Sequence, residues 1–226
     1  MIYATILFPV VIEALIFDMD GVLIDSMHLH AKAWKTAFHE AGIELDEREI
    51  FYLEGENDTG IIRNIMKSKS INLEKLDELM LTVPPRKHES FDRDAAVVFK
   101  GMDKYLKKLK NRFKLAVVSG SDRNIVDTIM EKYFPRIFAA VVSGDDTING
   151  KPAPDPYNKA VEMLGVDKES CIVVENAILG VMSAKNAGIF TIGIPTYIDR
   201  KELEHADIVL QDHGELFRFL GLLMRI

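Results

Sequence analysis

The feature that most constrains this chain is a short apolar run that ends abruptly at two carboxylates. Residues 14–17, Ala-Leu-Ile-Phe, are typical of a buried strand, and Asp18 and Asp20 follow them closely. On extended backbone, side chains two positions apart point the same way, so both carboxylates would face one ligand. Two like charges at the end of a buried strand are costly unless a cation or a proton lies between them. The pattern indicates a metal site, an acid–base pair or both, and the alternative is a solvated surface turn.

The same segment continues as a longer motif. From Asp18 to Ser26 the chain has the form Asp-x-Asp-Gly-x-x-x-Asp-Ser, which resembles the first motif of the haloacid dehalogenase-like (HAD) superfamily. The resemblance is closest to the branch that contains small-molecule phosphatases and β-phosphoglucomutase. It implies that Asp18 is a nucleophile and Asp20 a general acid/base. Acid work near neutral pH requires a raised pKa at Asp20, which burial and a neighbouring carboxylate favour and a bound cation opposes.

Composition limits the class of protein and its partners. The chain has 226 residues, of which 48% are apolar and 28% charged, as in a globular protein with one large domain or a core and a smaller module. A net charge of −7 gives no general attraction to nucleic acid. The single cysteine, Cys171, excludes an internal disulfide framework and fits a reducing, cytoplasmic environment. Residues 1–12 are apolar but too short to span a membrane, and we expect an edge strand or a tail there.

A helical stretch follows the first strand. Apolar residues recur at helical spacing, and the pattern predicts helices over residues 28–41, 46–54, 58–67 and 73–93. The last of these contains Pro84-Pro85, which predicts a break or kink. None of these helices alternates with a strand. We therefore expect residues 27–93 to form a helical module inserted into an α/β core made of residues 1–26 and 94–226.

From residue 101 onward, predicted helices and strands alternate. The strands are apolar on both faces, as in a parallel sheet that is covered on both sides. The predicted strands are 115–118, 139–142, 171–174, 191–194 and 208–210, and the predicted helices are 102–110, 123–132, 156–164, 179–187 and 215–224. The fold class expected is α/β, with a doubly wound parallel sheet. The resemblance adds a Rossmann-like HAD core, an inserted α-helical cap and a central position for the first strand.

Polar side chains stand at the ends of these strands. The apolar runs end at Asp18, Ser119, Ser143 and Glu175. Ligands of open α/β sheets bind outside the carboxyl ends of the strands. The pattern alone therefore brings Asp18, Asp20, Ser119 and Glu175 toward one crevice.

Two further motifs suit a phosphate. Ser119 opens the turn Ser-Gly-Ser-Asp, where a hydroxyl and free backbone N–H groups favour an anion, although an ordinary helix cap is the alternative. Lys151 lies in Gly-Lys-Pro-Ala-Pro, whose prolines stiffen the loop. These segments resemble the second and third HAD motifs. The resemblance implies that Ser119 and Gly120 hold a phosphoryl oxygen and that Lys151 screens the nucleophile from the charge of the phosphate.

Glu175-Asn176 resembles the fourth HAD motif, which supplies ligands for magnesium. Here asparagine replaces the commoner aspartate, so one ligand would be a neutral carbonyl oxygen. The expected Mg²⁺ ligands are Asp18, Asp20, Glu175 and Asn176, and we expect a working but weaker site. An equal alternative is that Asn176 binds the metal directly, while Glu175 contacts the metal ligands and not the metal itself.

The resemblance assigns substrate choice to the helical module. Candidate substrate contacts in the module are His30, Arg86 and Lys87, and the alternative for each is an exposed position at the surface. In the core, Arg123, which follows Ser119, is a possible anion contact. In β-phosphoglucomutase a basic side chain just after the loop 55–57 grips a second phosphate. Here that position is Asp58, which favours a phosphatase.

The function implied is a Mg²⁺-dependent phosphatase. It would hydrolyse a small phosphomonoester, of the sugar phosphate or phosphoglycolate type, through an aspartyl-phosphate. The alternatives are a β-phosphoglucomutase-like mutase, a phosphonate-cleaving enzyme that uses Lys32 or Lys35, and a binding protein without catalytic activity. The last would be expected to have lost Asp18, Asp20 or Lys151. The expected partner is a small phosphorylated metabolite, with no nucleic acid, membrane or obligate protein partner. The sequence leaves the substrate, the metal preference and the oligomeric state open.

Overall fold

A computed structural model describes residues 11–224 of the chain. The predicted edge strand over residues 1–12 lies outside this range, apart from residues 11 and 12, which are in neither a helix nor a strand. The elements are β1 (Ala14–Asp18), β2 (Ile24–Asp25), α1 (Met27–Glu40), α2 (Glu47–Phe51), α3 (Asp58–Ser68), α4 (Leu76–Ser90), β3 (Val97–Val98), α5 (Met102–Leu109), β4 (Lys114–Val118), α6 (Arg123–Tyr133), β5 (Ala140–Val142), α7 (Asp155–Leu164), β6 (Cys171–Glu175), α8 (Ile178–Asn186), β7 (Phe190–Gly193), β8 (Ile208–Val209) and α9 (His213–Leu223).

The main sheet has six parallel strands in the order β5-β4-β1-β6-β7-β8. The first strand is central, and Phe17 stands opposite Val117 on one side and Val174 on the other. Its five residues are all buried. This confirms the α/β fold with a covered parallel sheet.

The side chains of β1 alternate between two hydrophobic clusters. Leu15 and Phe17 pack on the face covered by α5, α6 and α9, whereas Ala14 and Ile16 pack on the face covered by α7 and α8. Alternation with a period of two is what extended backbone imposes. Because helices cover both faces, β1 can be apolar throughout, and its first polar side chain is Asp18 at its carboxyl end.

Helices α1 to α4 pack around a third hydrophobic cluster of their own. Trp34 and Phe38 of α1, Ile62 of α3, and Leu79 and Val83 of α4 are buried there. At the base of this helical module, β2 and β3 pair antiparallel, with Ile24 opposite Val98. The chain therefore enters and leaves the module through two paired segments, next to Asp18 and Asp20.

Helix α4 differs from the expectation, because it runs unbroken through Pro84 and Pro85. Neither proline can donate a backbone hydrogen bond to the preceding turn. Burial of Leu79, Val83 and Lys87 on one face of the helix compensates for the lost bonds. Of the predicted break or kink at the prolines, the break is therefore wrong, since tertiary packing outweighs the local preference.

No helix within residues 11–224 is long and apolar enough to cross a membrane.

Candidate active site

The ends of three neighbouring strands form the floor of the site. Asp18 ends β1, Ser119 follows β4, and Glu175 ends β6. Because β1 lies between β4 and β6, these three side chains lie side by side at the carboxyl edge of the sheet. Lys151 joins them from the loop before α7. The structure thus brings together the residues that the strand-end argument selected.

Lys151 is buried between two carboxylates. Its Nζ donates to Asp18 Oδ1 and to Glu175 Oε1, each at 2.6 Å, and lies 3.4 Å from the carbonyl oxygen of Val118. Burial alone would lower the pKa of Lys151, but the charges of Asp18 and Glu175 outweigh it and raise the pKa above its ordinary value. The side chain therefore remains an ammonium group pressed against the candidate nucleophile.

Glu175 is fully occupied by donors from its own domain. Oε1 also accepts from the Tyr157 hydroxyl at 2.8 Å, and Oε2 accepts from the backbone N–H groups of Asn176 at 2.8 Å and Ala177 at 3.0 Å. A Cβ at Gly180 would lie 1.7 Å from Glu175 Oε1, so only glycine lets α8 begin this close. In this arrangement Glu175 orients Lys151.

Asp20 accepts hydrogen bonds on both of its carboxylate oxygens. Ser26 donates to Oδ1, His30 Nε2 lies 3.0 Å from the same oxygen, and the hydroxyls of Ser119 and Ser121 lie 3.2 and 3.4 Å from Oδ2. Burial would raise the pKa of Asp20, but the charge of His30 and these hydrogen bonds outweigh it and lower the pKa. The expectation of a raised pKa at Asp20 is therefore wrong for this arrangement, because it did not include the hydrogen-bond donors that stabilise the ionised carboxylate.

The turn after β4 is held tightly against the helical module. The Ser119 hydroxyl accepts from the Ser121 N–H at 3.1 Å. A Cβ at Gly120 would lie 2.4 Å from the carbonyl oxygen of Gly55 and 2.5 Å from that of Glu56. Glycine at position 120 is thus what allows the loop before α3 to rest on the turn. The candidate phosphate-binding turn is consequently covered by the module.

Glu54 is a site residue that the sequence did not single out. It is 4% exposed, and its Oε1 accepts from Asn176 Nδ2 at 2.6 Å. Its second oxygen, Oε2, and Asn176 Oδ1 are both buried without a hydrogen-bond partner. Burial raises the pKa of Glu54 well above its ordinary value, and the nearby carboxylates of Asp18 and Glu175 add to the shift. The one sequence signal was an acidic residue directly before Gly55.

The site carries more buried negative charge than positive charge. Four carboxylates, those of Asp18, Asp20, Glu54 and Glu175, are buried, and the basic side chains among them are Lys151 and His30. Burial is the largest influence on the pKa of Asp18, and it raises this pKa. The charges of Glu175 and Asp20 raise the pKa of Asp18 further, whereas Lys151 lowers it. Excess buried carboxylate is stabilised by a cation.

The oxygen donors at the site fit a hard cation. In the described part of the chain, no cluster of three His, Cys, Asp or Glu side chains has the arrangement of a metal site. What the site offers instead is carboxylate oxygen from Asp18 and Glu54 and an unpartnered amide oxygen from Asn176. Mg²⁺ prefers oxygen ligands and retains several waters, so two or three such donors suffice.

A small cavity lies between the site and the helical module. Its walls include Asp18, Asp20, Trp34, Glu54 and Lys87. Its volume is about 30 Å³, only about two or three times the room that one water molecule needs. A phosphomonoester therefore cannot enter unless the module moves.

The candidate contacts in the helical module fall into two groups. His30 lies at the site beside Asp20 and stacks on the Phe91 ring with 4.3 Å between ring centroids. Lys87 is buried and lines the cavity. Arg86, in contrast, is exposed and pairs with Glu40 and Glu89 inside the module.

Arg123 is not brought to the site. Its guanidinium pairs with Asp127 and Asp146 and donates to the carbonyl oxygen of Val141 at 3.2 Å. It does not line the cavity beside Asp18. Its charge is already balanced by two carboxylates, which leaves little for a substrate anion.

Comparison with known proteins identifies the family of the chain. A sequence profile of the family described as haloacid dehalogenase-like hydrolase matches residues 15–194. The chain belongs to this family. The four motif positions, Asp18, Ser119, Lys151 and Glu175, all lie within the matched span. The chain is accordingly an enzyme, a HAD-like hydrolase, as its motifs implied.

Individual relatives of this HAD-like hydrolase include both phosphatases and mutases. The validoxylamine A 7′-phosphate phosphatase of Streptomyces hygroscopicus is 30% identical over 203 residues, which cover 89% of this chain and 94% of that protein. The β-phosphoglucomutase of Mycobacterium bovis is 30% identical over 243 residues and covers 92% of each chain. The crystal structure of a hydrolase from Pseudomonas syringae superposes with a TM-score of 0.81 at 23% identity, covering 93% of this chain and 98% of that one, which supports the fold.

Proposed function

We propose that this HAD-like hydrolase is a Mg²⁺-dependent phosphatase that hydrolyses a small phosphomonoester through an aspartyl-phosphate on Asp18. The observation that carries the proposal is the buried contact between Asp18 and Lys151, with Asp20 and Ser119 hydrogen-bonded beside it. A carboxylate nucleophile, a general acid/base and a fixed cation in contact with the nucleophile are the parts that phosphoryl transfer requires.

The reaction has two displacements. In the first, a carboxylate oxygen of Asp18 forms a bond to phosphorus, the bond to the substrate oxygen breaks, and Asp20 gives its proton to the leaving alcohol. In the second, Asp20 takes a proton from water, whose oxygen attacks phosphorus and releases Asp18 and inorganic phosphate. Because His30 and Ser26 stabilise the ionised form of Asp20, we expect these contacts to change when Asp20 carries the proton.

The charge that develops on the phosphoryl oxygens is offset by groups already in place. Lys151 supplies a fixed positive charge at the nucleophile. The Ser119 hydroxyl, which donates to Asp20 at 3.2 Å, joins them once it turns to the phosphoryl group, and the backbone N–H groups of the turn through Gly120 supply fixed hydrogen bonds. Preorganised donors of this kind stabilise the transition state without having to reorient during the reaction.

We propose that Mg²⁺ would be held by Asp18 and Asn176, with Glu54 as an additional donor, whereas Asp20 already accepts hydrogen bonds on both carboxylate oxygens. Asn176 Oδ1 and Glu54 Oε2 are buried and have no other partner. Glu175 is assigned the supporting role, because its oxygens already accept from Lys151, Tyr157 and two backbone N–H groups. When bound, the metal neutralises charge on the phosphoryl group and favours the carboxylate form of Asp18.

The helical module serves as a cap that selects the leaving group. Asp58 occupies the position at which a mutase would need a cation for a second phosphate, and it pairs with Lys87 and His88. A substrate with one phosphoryl group, such as a sugar phosphate or phosphoglycolate, fits this arrangement better than a bisphosphate intermediate.

Phosphate release from a panel of phosphomonoesters, including β-glucose 1-phosphate, tests the proposal. We expect release that requires Mg²⁺, is stopped by EDTA and falls by at least about 10³-fold in Asp18→Asn. Asp103→Asn, which breaks an ion pair with Lys107 on α5, is the matched control and should retain wild-type activity. Conversion of glucose 1-phosphate to the 6-phosphate without phosphate release would replace the phosphatase by the mutase.

A further inference from the structure

Four charged side chains meet where the helical module touches the core, at the edge of the cavity. Lys87 Nζ lies 3.2 Å from Asp58 Oδ1 and 3.7 Å from Asp122 Oδ2. His88 Nε2 lies 3.2 Å from Asp58 Oδ2 and 3.0 Å from Asp122 Oδ2. Three of the four residues belong to the module, and Asp122 belongs to the core. We call Asp58, Lys87, His88 and Asp122 the charge cluster.

Asp122 connects the charge cluster to the turn that forms the candidate phosphate site. It is the N-cap residue of α6, and its Oδ1 accepts from the Ile125 N–H at 3.1 Å. Its Oδ2 faces Lys87 and His88. The same residue closes the turn that begins at Ser119. The contacts of Lys87 and His88 with Asp122 therefore also influence the position of the turn beside the nucleophile.

The charges in this cluster balance only while the module rests on the core. With the module in place, two basic side chains face two carboxylates. If the module lifts, Lys87 and His88 keep Asp58, which moves with them, but lose Asp122. Lys87 is 1% exposed and its Nζ lies 5.2 Å from the centroid of the Trp34 ring. Lifting the module would therefore hydrate Lys87 and uncover the ring beneath it.

The cavity makes such movement necessary. Its volume of about 30 Å³ is too small for a phosphomonoester, so the module has to open and close in each turnover. Charged groups that pair across a partly buried interface in one state bias such an equilibrium. The Arg86 pairs, one residue away on α4, lie wholly inside the module and cannot do so.

We propose that the charge cluster is a latch: Asp122 anchors Lys87 and His88 and so sets the equilibrium between the open and closed module. Its members are positioning residues, since they act on substrate binding through closure of the module. The link to turnover rests on the proposed phosphatase function. The latch itself does not, because closure can be measured without a substrate.

The only tryptophan of the chain, Trp34, reports closure directly. It is 2% exposed below Lys87 in the closed arrangement, so acrylamide should quench its fluorescence weakly. Asp122→Asn keeps an oxygen for the helix cap, since asparagine and aspartate cap equally well. It removes the charge that holds Lys87 and His88. Arg86→Gln, which breaks pairs within the module, is the matched control.

For Asp122→Asn we expect the quenching constant of Trp34 to rise at least about twofold and KM about tenfold, with kcat within about twofold of wild type. Closure over a bound substrate adds to its affinity, so a weaker latch raises KM, whereas a saturating substrate still closes the module. Arg86→Gln should match wild type in both measurements. Urea unfolding of each variant shows whether it is folded, and His88→Gln, which leaves the α6 cap untouched, replaces Asp122→Asn should that variant not fold.

Wild-type quenching in folded Asp122→Asn would overturn the latch, and a raised quenching constant with an unchanged KM would overturn its link to turnover. If no phosphomonoester is turned over by the wild-type enzyme, the proposed function fails. The quenching comparison between Asp122→Asn and Arg86→Gln then decides the latch alone.

Discussion

The two walls of the candidate active site are held in place in different ways. On the core side, Asp18, Lys151 and Glu175 bind one another at the ends of neighbouring strands, in a sheet that is covered on both faces. On the other side, Glu54 and Lys87 come from the helical module and contact core residues across an interface. The core wall is therefore fixed by the fold, whereas the module wall exists only when the module is closed.

This difference separates the tasks of the two walls. Groups that carry out phosphoryl transfer need fixed positions, which strand ends of a buried sheet provide. Groups that admit and enclose a substrate need to move, which a module joined by the short β2–β3 pair permits. Substitutions in the core wall should accordingly affect stability and chemistry together, and substitutions in the module wall should affect closure and binding.

The largest effect on stability is expected for Lys151→Met. The change leaves Asp18 and Glu175 buried without their shared cation, and removal of one partner from a buried ion pair costs about 3–5 kcal/mol. Urea unfolding should show this loss in the free energy of unfolding. Lys69→Met, which breaks a pair with Glu49 near the surface of the module, is the control and should cost no more than about 1 kcal/mol. Equal losses in the two variants would contradict the contrast between the walls.

Gly120→Ala addresses the contact between the walls. A Cβ at this position would lie 2.4 Å from the carbonyl oxygen of Gly55, so the loop of the module must retreat. We expect kcat/KM to fall by about 10–100-fold, with increased acrylamide quenching of Trp34. Gly221→Ala, where a Cβ meets nothing within 4 Å, is the control and should be stabilised by roughly 0.5–1 kcal/mol. Wild-type quenching in Gly120→Ala would show that this contact does not hold the module closed.

The contrast between the walls also explains what the sequence could predict. Asp18, Ser119 and Glu175 stand at the ends of apolar runs, and the topology of a parallel sheet carries such residues to one edge. Their convergence follows from local patterns and needs no knowledge of long-range packing. The same holds for the doubly wound fold, whose alternating helices and strands are visible in the chain.

The module wall depends on contacts that no local pattern records. Glu54 meets Asn176 from 122 positions away in the sequence, and nothing near Glu54 marks it as buried. The position of Arg123 just after Ser119 predicts an anion contact at the site, yet its side chain turns toward Asp127 and Asp146. Helix α4 similarly continues through Pro84 because of packing that the local signal omits.

Glu54→Gln sharpens the comparison, because it asks whether the module wall contributes to metal binding. Glutamine keeps an oxygen that can accept from Asn176 Nδ2 but removes the charge beside the proposed Mg²⁺ ligands. We expect the dissociation constant for Mg²⁺, measured by titration calorimetry, to rise about tenfold. Glu56→Gln, also at the cavity wall, is the control and should bind Mg²⁺ as wild type does. Unchanged affinity in Glu54→Gln would assign the metal to the core wall alone.

The smallest expected effect is a loss of closure at alkaline pH. Close contacts with the carboxylates of Asp122 and Asp58 raise the pKa of His88 to about 9, while its burial and the charge of Lys87 oppose the shift. A raised pKa means that the protonated form favours closure. This contribution is complete below the ordinary histidine pKa of about 6.5 and is lost as pH rises through about 9. Because His88 is partly exposed, we expect only about a twofold rise in the quenching constant of Trp34 between pH 7 and 10. In His88→Gln the constant should start higher and stay level over this range, and a rise equal to that of the wild type would assign the pH dependence to another group.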